Sequence, residues 1–290
     1  MITILMVIWL NGEMLDAAEA RLAASSAGVL LGWGIFTTLG IWGGRAFAVK
    51  RHIVRLRRDA AAVDVPIAFS DETIEGALQD VITRNAASTG YARLTATRRG
   101  DGRWNDRGGG DLSIMTVAWA KTTARGAGQV LRLGLSPYRL EARRATAGIK
   151  TTSYLDHQLA WREANNRGFD EAVLCNGQGI ICECARANLF WTSRNQLCTP
   201  ALESGCLPGI GREIVLEWAR EMGLPTREGA FSLQELARAD EVFVTAATTG
   251  PRPVRTFYDA CDESGIEHSY NAPGPLTQLL QKRWDEAVSR

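Results

Sequence analysis

The stretch Glu171-Ala-Val-Leu-Cys-Asn-Gly-Gln-Gly-Ile-Ile-Cys-Glu-Cys184 decides how the chain folds. Glu171 to Cys175 and Ile180 to Cys184 read as two apolar strands turned back on each other about Asn176-Gly177, residue types that tolerate the positive φ of a tight hairpin. Upstream, Tyr154 to Arg167 carries a helical pattern that Gly168 terminates. Before that, a strand at Val130 to Leu135 leads through Ser136-Pro137 toward Lys150. Downstream, Asn188 to Thr192 continues the sheet. Gly205-Cys-Leu-Pro-Gly-Ile-Gly211 then enters a helix whose Ile214, Val215, Trp218, Ala219 and Met222 share one face until Gly223 stops it. Glu241 to Thr245 reads as a further strand and Leu276 to Val288 as an amphipathic helix. Helices alternating with strands in this way mean an α/β (α+β) fold.

The first part of the chain repeats the theme. The apolar opening ends at Asn11-Gly12, and Trp33 to Trp42 and Arg45 to Val49 flank Gly43-Gly44, so both sites predict hairpins. Ile53 to Val63 and Ser70 to Ile82 read as helices. The second has Ser70 as N-cap and Ile74, Ala77, Leu78, Val81 and Ile82 as its buried stripe. Strands at Tyr91 to Thr97 and Leu112 to Trp119 bracket a Gly- and Arg-rich loop, Arg98 to Asp111, that reads as too polar for a core. Lys121 to Gly128 has linker composition. A length of 290 residues suits two domains, here residues 1–120 and 129–290, joined by the linker 121–128, with Lys150 in the second.

Composition narrows the chemistry. With 33 Lys+Arg against 32 Asp+Glu, no net field recruits nucleic acid or an anionic membrane, so small molecules are the expected partners. The opening apolar run lacks a basic leader and is too short to span a bilayer. Six cysteines without a Cys-x-x-Cys pair fit a reducing, cytoplasmic setting. Cys182 and Cys184, two apart on a strand, are expected on one face as packing residues. His52, His157 and His268 are too scattered for a metal site.

Three features carry chemistry. Leu207-Pro-Gly-Ile-Gly211 feeds a helix, and such a turn aims unpaired backbone N–H groups at an anion, although many glycine turns only start helices. Lys150 is one of four lysines and lies among small and apolar neighbours in Ala147-Gly-Ile-Lys-Thr-Thr152, where desolvation would favour a neutral amine able to attack an aldehyde. A structural ion pair is the other reading. Lys50, Lys121 and Lys282 read as solvated. Glu183 sits on an apolar strand and needs a partner, either a pyridinium nitrogen or an internal arginine.

Taken together, Gly32-Trp-Gly-Ile-Phe36, Arg51-His-Ile-Val-Arg-Leu56, Gly148-Ile-Lys150, Gly168-Phe-Asp-Glu-Ala172, Glu183-Cys-Ala-Arg-Ala-Asn-Leu-Phe190 and Leu207-Pro-Gly-Ile-Gly-Arg212 follow the order and spacing of a known family. Over nearly its whole length the chain resembles the class IV pyridoxal 5'-phosphate (PLP) dependent aminotransferases. That group includes branched-chain and D-amino-acid aminotransferases, (R)-amine transaminases and 4-amino-4-deoxychorismate lyase. The resemblance implies a two-domain fold with the cofactor in the inter-domain crevice, and a homodimer. It makes Lys150 the Schiff-base lysine and proton shuttle, Glu183 the pyridine-nitrogen carboxylate and Arg55 the phosphate arginine. Ile210 and Gly211 become helix-terminal phosphate donors, Leu207 the residue against the ring and Tyr154 a partner of the ring hydroxyl. His52 is expected to be structural.

Two departures stand out. The family pattern Gly-Ile-Thr-Arg appears here as Gly-Ile-Gly211-Arg212, so a phosphate-binding hydroxyl is missing. A second hydroxyl-bearing position falls in Ala246-Ala247-Thr248-Thr249, which leaves Ala247 beside the phosphate and Thr248 and Thr249 near the substrate. By the same resemblance Phe36, Thr38, Trp42, Arg98 and Arg103 line the substrate side. Arg103 matches a carboxylate-reading loop arginine, with a solvated loop residue as the alternative. An aminotransferase acting on amino and keto acids is expected, with the lyase as the second reading and a PLP-free binding module on the same fold as the third.

Overall fold

The computed structural model of the chain describes residues 7–101, 103, 108–119 and 129–289. The chain forms two compact units, one made of Met1–Arg125 with Ile149–Ser153, the other of Gly126–Gly148 with Tyr154–Val288. The expected linker, 121–128, lies outside the described residues.

In the first unit the elements are β1 (Val7–Leu10), β2 (Glu13–Asp16), α1 (Ala27–Leu30), β3 (Gly34–Trp42), β4 (Arg45–Ala46), α2 (Val49–Ala62), α3 (Asp71–Arg84), β5 (Thr89–Arg98) and β6 (Gly110–Ala118). The strands pair antiparallel in the order β2-β1-β6-β5-β3-β4. Both predicted hairpins form. Asn11 and Gly12 at φ 52° and 101°, and Gly43 and Gly44 at 57° and 76°, supply the positive dihedrals that a two-residue connection requires. Alternation along β3 then sorts the side chains. Ile35, Leu39 and Ile41 join the core with Ile53 and Leu56 of α2 and with Ile74, Leu78 and Val81 of α3, while Phe36, Thr38 and Trp42 take the opposite face. Ser70 caps α3 as expected, its Oγ accepting from Thr73 N.

The loop reading of Arg98 to Asp111 needs correction at both ends. Arg98 is 4 % exposed at the end of β5, its guanidinium donating to the backbone oxygen and the carboxylate of Asp64 and lying over Trp33. Asp111 is buried in β6, where it accepts from Arg99 and Asn11. Polar residues enter a core when their charge is paired, and composition alone does not reveal the pairing.

The second unit contains β7 (Leu131–Leu140), α4 (Leu155–Asn166), β8 (Glu171–Asn176), β9 (Ile181–Cys184), β10 (Asn188–Ser193), β11 (Gln196–Pro200), α5 (Ile210–Glu221), β12 (Thr226–Gly229), α6 (Leu233–Ala237), β13 (Glu241–Ala246), β14 (Gly250–Tyr258), β15 (Glu267–Ser269) and α7 (Pro275–Ser289). Its mixed sheet runs β12-β11-β10-β13-β14-β7-β8-β9, with β15 on β14. Phe190 and Phe243 stack against each other and pack with α5 and α7, while Leu189, Val242 and Val244 pack with Phe231 and with Leu236 of α6. No helix among the described residues is long and apolar enough to cross a membrane.

Two irregularities matter for the site. β7 runs on through Pro137 because its register against β8 shifts between Leu135 and Arg139, and a bulge tolerates a residue with no N–H to donate. A second shift, between Leu174 and Cys175 of β8, breaks the alternation of β9. The expectation that Cys182 and Cys184 share a face is therefore overturned. Cys182 packs with Ala160, Leu174 and Cys206, and Cys184 with Val173 and Leu189. Both are packing residues, and burial pushes the Cys182 thiol up to about 12.

Candidate active site

Residues singled out from the sequence fall into two sets, one in each unit. The first is organised by β3. Residues 149–153 extend along the start of this strand: Phe36 N donates to Lys150 O at 2.9 Å, Thr152 N donates to Gly34 O at 2.8 Å, and Thr151 bridges Ile35. Lys150 N donates in turn to Asp59 Oδ2 at 3.1 Å. These bonds explain why Lys150 packs with the first unit and not with 129–290, where the sequence reading placed it. Its backbone groups find their partners on β3 and α2. Lys150 Nζ lies 4.5 Å from the centroid of the Phe36 ring, and the Arg93 guanidinium lies 3.7 Å from the same centroid. Thr38 faces Arg93 across the β3–β5 register. Trp42 lies over Gly40, where a Cβ would meet its ring at 2.0 Å, so glycine is required there.

On the other face of β3, Thr37 Oγ1 accepts from Arg55 Nη2 at 2.8 Å and sits 2.7 Å from His52 Nδ1. The Thr37 hydroxyl has two acceptor sites and one proton, so it can accept from Arg55 and still bond Nδ1 of a neutral His52 in either tautomer. Burial, then the charges of Arg55 and Lys150, hold its pKa well below the ordinary imidazole value. The sign of the pH effect follows. Below about 6.5 the unfolded chain binds a proton that the folded His52 refuses, so this contribution to stability is intact above that value and is lost as pH falls below it. The melting temperature of the wild type is expected to drop more between pH 7.5 and 5.5 than that of His52→Gln. Parallel slopes would assign the loss to other groups.

The second set is organised by the bulge in β9, which turns Cys182 and Glu183 toward α4. Glu183 is 5 % exposed. Its Oε2 accepts from Asn188 Nδ2 and from Leu207 N, each at 3.1 Å, and its Oε1 lies 3.6 Å from His157 Nε2. Asn188 also donates to Leu207 O at 2.9 Å, so one amide fixes both the carboxylate and the backbone of the half-buried Leu207. Tyr154 caps α4 and stacks on His157 at 4.2 Å. Helix α5 begins at Ile210 and Gly211 behind Gly209, an N-cap with no side chain to bond its amides. The turn 247–249, holding Ala247, Thr248 and Thr249, follows β13.

A family model described as Amino-transferase class IV matches residues 34–257. The chain belongs to the class IV aminotransferase family. It is an enzyme of a PLP-dependent family. It is 30% identical to a putative branched-chain-amino-acid aminotransferase of Methanocaldococcus jannaschii, over 86% of this chain and 87% of the relative. It is 27% identical to a D-alanine aminotransferase of Listeria innocua, over 98% and 97%. The solved branched-chain aminotransferase of Escherichia coli superposes with a TM-score of 0.87 at 26% identity, covering 97% of this chain and 94% of the other. The expected α/β fold of this family is the one observed.

Not every expected residue joins these sets. Arg103 is exposed and pairs with Asp101 at 3.0 Å, and Arg98 is built into the frame at Asp64 and Trp33. Conversely, Asp59, Arg93, His157 and Asn188 were given no role from the sequence. Arg93 stands in a strand of period two, where the register with Thr38 would have placed it on the Phe36 face.

Proposed function

We propose that this chain is a PLP-dependent aminotransferase that moves an amino group between an amino acid and an α-keto acid. The observation that carries the reading is the Phe36 ring, which holds both an amine, Lys150 Nζ, and a guanidinium, Arg93. One is the group that amino transfer needs, and the other suits a substrate carboxylate. The residues present fit the cofactor. In the second unit Ile210 and Gly211 would offer helix-terminal amides to a phosphate, and in the first Arg55, oriented by Thr37, is a planar fork of the kind that suits one. Glu183, which accepts from Leu207 N, would offer a buried carboxylate to its ring nitrogen, and Tyr154, stacked on His157, would partner the ring hydroxyl. When bound, PLP supplies an aldehyde that condenses with amines and a ring that takes up the electron pair left at the substrate Cα. Lys150 Nζ, 4.5 Å from the centroid of the Phe36 ring, would take the substrate Cα proton and pass it on to the cofactor.

Exposed Val29, Leu30 and Leu31 of the first unit are consecutive apolar side chains that a second copy would cover, in keeping with a homodimer in solution.

Specificity constants decide between Arg93 and Arg103 as the carboxylate reader. Arg93→Ala is expected to lower kcat/KM for an amino acid roughly ten- to a hundredfold, the loss of one charge-assisted contact. It should barely affect an (R)-amine without a carboxylate, and Arg103→Ala should change neither. The reverse pattern would return the role to Arg103. D-Alanine, L-leucine and aminodeoxychorismate complete the panel. Release of pyruvate from the last, with no amino transfer, would replace the transferase by the lyase. Purified protein that never acquires visible absorbance with PLP would favour the PLP-free module.

A further inference from the structure

Helix α5 opens on glycine at its second position, and the space this leaves is occupied. A Cβ built on Gly211 would lie 2.7 Å from Thr245 Oγ1, and 3.2 and 3.4 Å from the backbone C and N of Ala246. Thr245, next to last in β13, is 1 % exposed, and its Oγ1 has no hydrogen-bond partner. A buried hydroxyl left unpaired is costly and calls for a ligand. It sits at the uncapped N-terminus of a 12-residue helix, where the amides of Ile210 and Gly211 are without a side-chain cap. Ala246 and Ala247 carry methyl groups, and Thr249 Oγ1 donates to Gly250 O.

We propose that Thr245 Oγ–H is the hydroxyl donor to the cofactor phosphate, reaching it from β13 because Gly211 carries no side chain. The inference rests on the PLP reading above and deepens it. A phosphate monoester in front of α5 would accept from the two amides and from this hydroxyl, which together match an anion's need for several donors. Glycine at 211 and threonine at 245 are then one device. A side chain at 211 would displace the hydroxyl, and a hydroxyl is needed from β13 because none comes from the helix.

The test uses the full-length protein and its Thr245→Val variant, with PLP, pyridoxal and inorganic phosphate as probes. The expected result is a roughly ten- to a hundredfold weaker PLP affinity and weaker competition by phosphate. Pyridoxal affinity should be unchanged, and the apoprotein should melt at an equal or higher temperature because an unpaired buried hydroxyl has been removed. Thr245→Ser should keep PLP affinity within a few-fold, and Gly211→Thr should lose it. Gly211→Thr combined with Thr245→Ala should recover part of that loss, the hydroxyl now coming from the helix. A wild type that prefers PLP to pyridoxal while Thr245→Val matches it with both ligands overturns this inference alone. A wild type that takes up no PLP overturns the cofactor reading as well.

Discussion

Lys150→Ala is expected to lower turnover by about a thousandfold or more, because in the proposed function the variant loses both the amine that captures the cofactor aldehyde and the base that moves the substrate Cα proton. No other described lysine can take over, since Lys50 and Lys282 are exposed on α2 and α7. The fold should survive. What anchors the segment is backbone, namely Lys150 O accepting from Phe36 N and Lys150 N donating to Asp59, and alanine keeps both bonds. The side chain's contact with the Phe36 ring contributes about 0.5–1 kcal/mol to stability. The melting temperature should therefore move by only a few degrees while turnover collapses. Added methylamine should restore part of the rate, since a small amine can take the vacated place. Borohydride should fix PLP to residue 150 in the wild type and to no residue in the variant. Near-normal activity with the label on another lysine would remove Lys150 from the mechanism.

What the sequence could show was local. The hairpins at Asn11-Gly12 and Gly43-Gly44 and the α3 stripe are legible because a turn dihedral or a helical period is written within a few residues. Strand β14 was not foreseen, and its Pro251 and Pro253 are the reason. They occupy the stretch that pairs with β13 alone, before β7 joins at Val254, so one neighbour suffices and the missing donors are tolerated. α6 had a readable signal in Ser232 and Glu235, a capping box over five residues. The site was legible as residue types and only partly as geometry. Glu183 is conspicuous as a carboxylate among apolar neighbours, yet the register shift that aims it, and with it the parting of Cys182 from Cys184, has no one-dimensional signature. Lys150 pairs with a strand more than a hundred positions earlier, a contact no local pattern encodes. Thr245 looks like any β-branched strand residue until the glycine beside it is seen in space.

Glu183→Gln separates the chemistry of the carboxylate from its structural bonds. In the wild type, Oε2 accepts from Asn188 Nδ2 and Leu207 N, and Oε1 faces His157. A glutamine can turn its carbonyl oxygen to the first two donors and set its amide toward His157, so both buried N–H groups stay satisfied. The melting temperature should change little. Glu183→Ala would strand both donors at about 1–3 kcal/mol each and should melt well below the glutamine variant. What glutamine cannot do is hold a proton on the ring nitrogen, because it carries no negative charge to balance the pyridinium. Turnover is thus expected to fall by about a hundredfold or more while PLP affinity stays within a few-fold, since the proposed phosphate donors, the amides that open α5 and the Arg55 guanidinium, are untouched. The comparison needs kcat, the PLP dissociation constant and the melting temperature for all three proteins. A glutamine variant that turns over at the wild-type rate would show that the ring nitrogen is held elsewhere, and Glu183 would remain only the brace that joins Asn188 to Leu207.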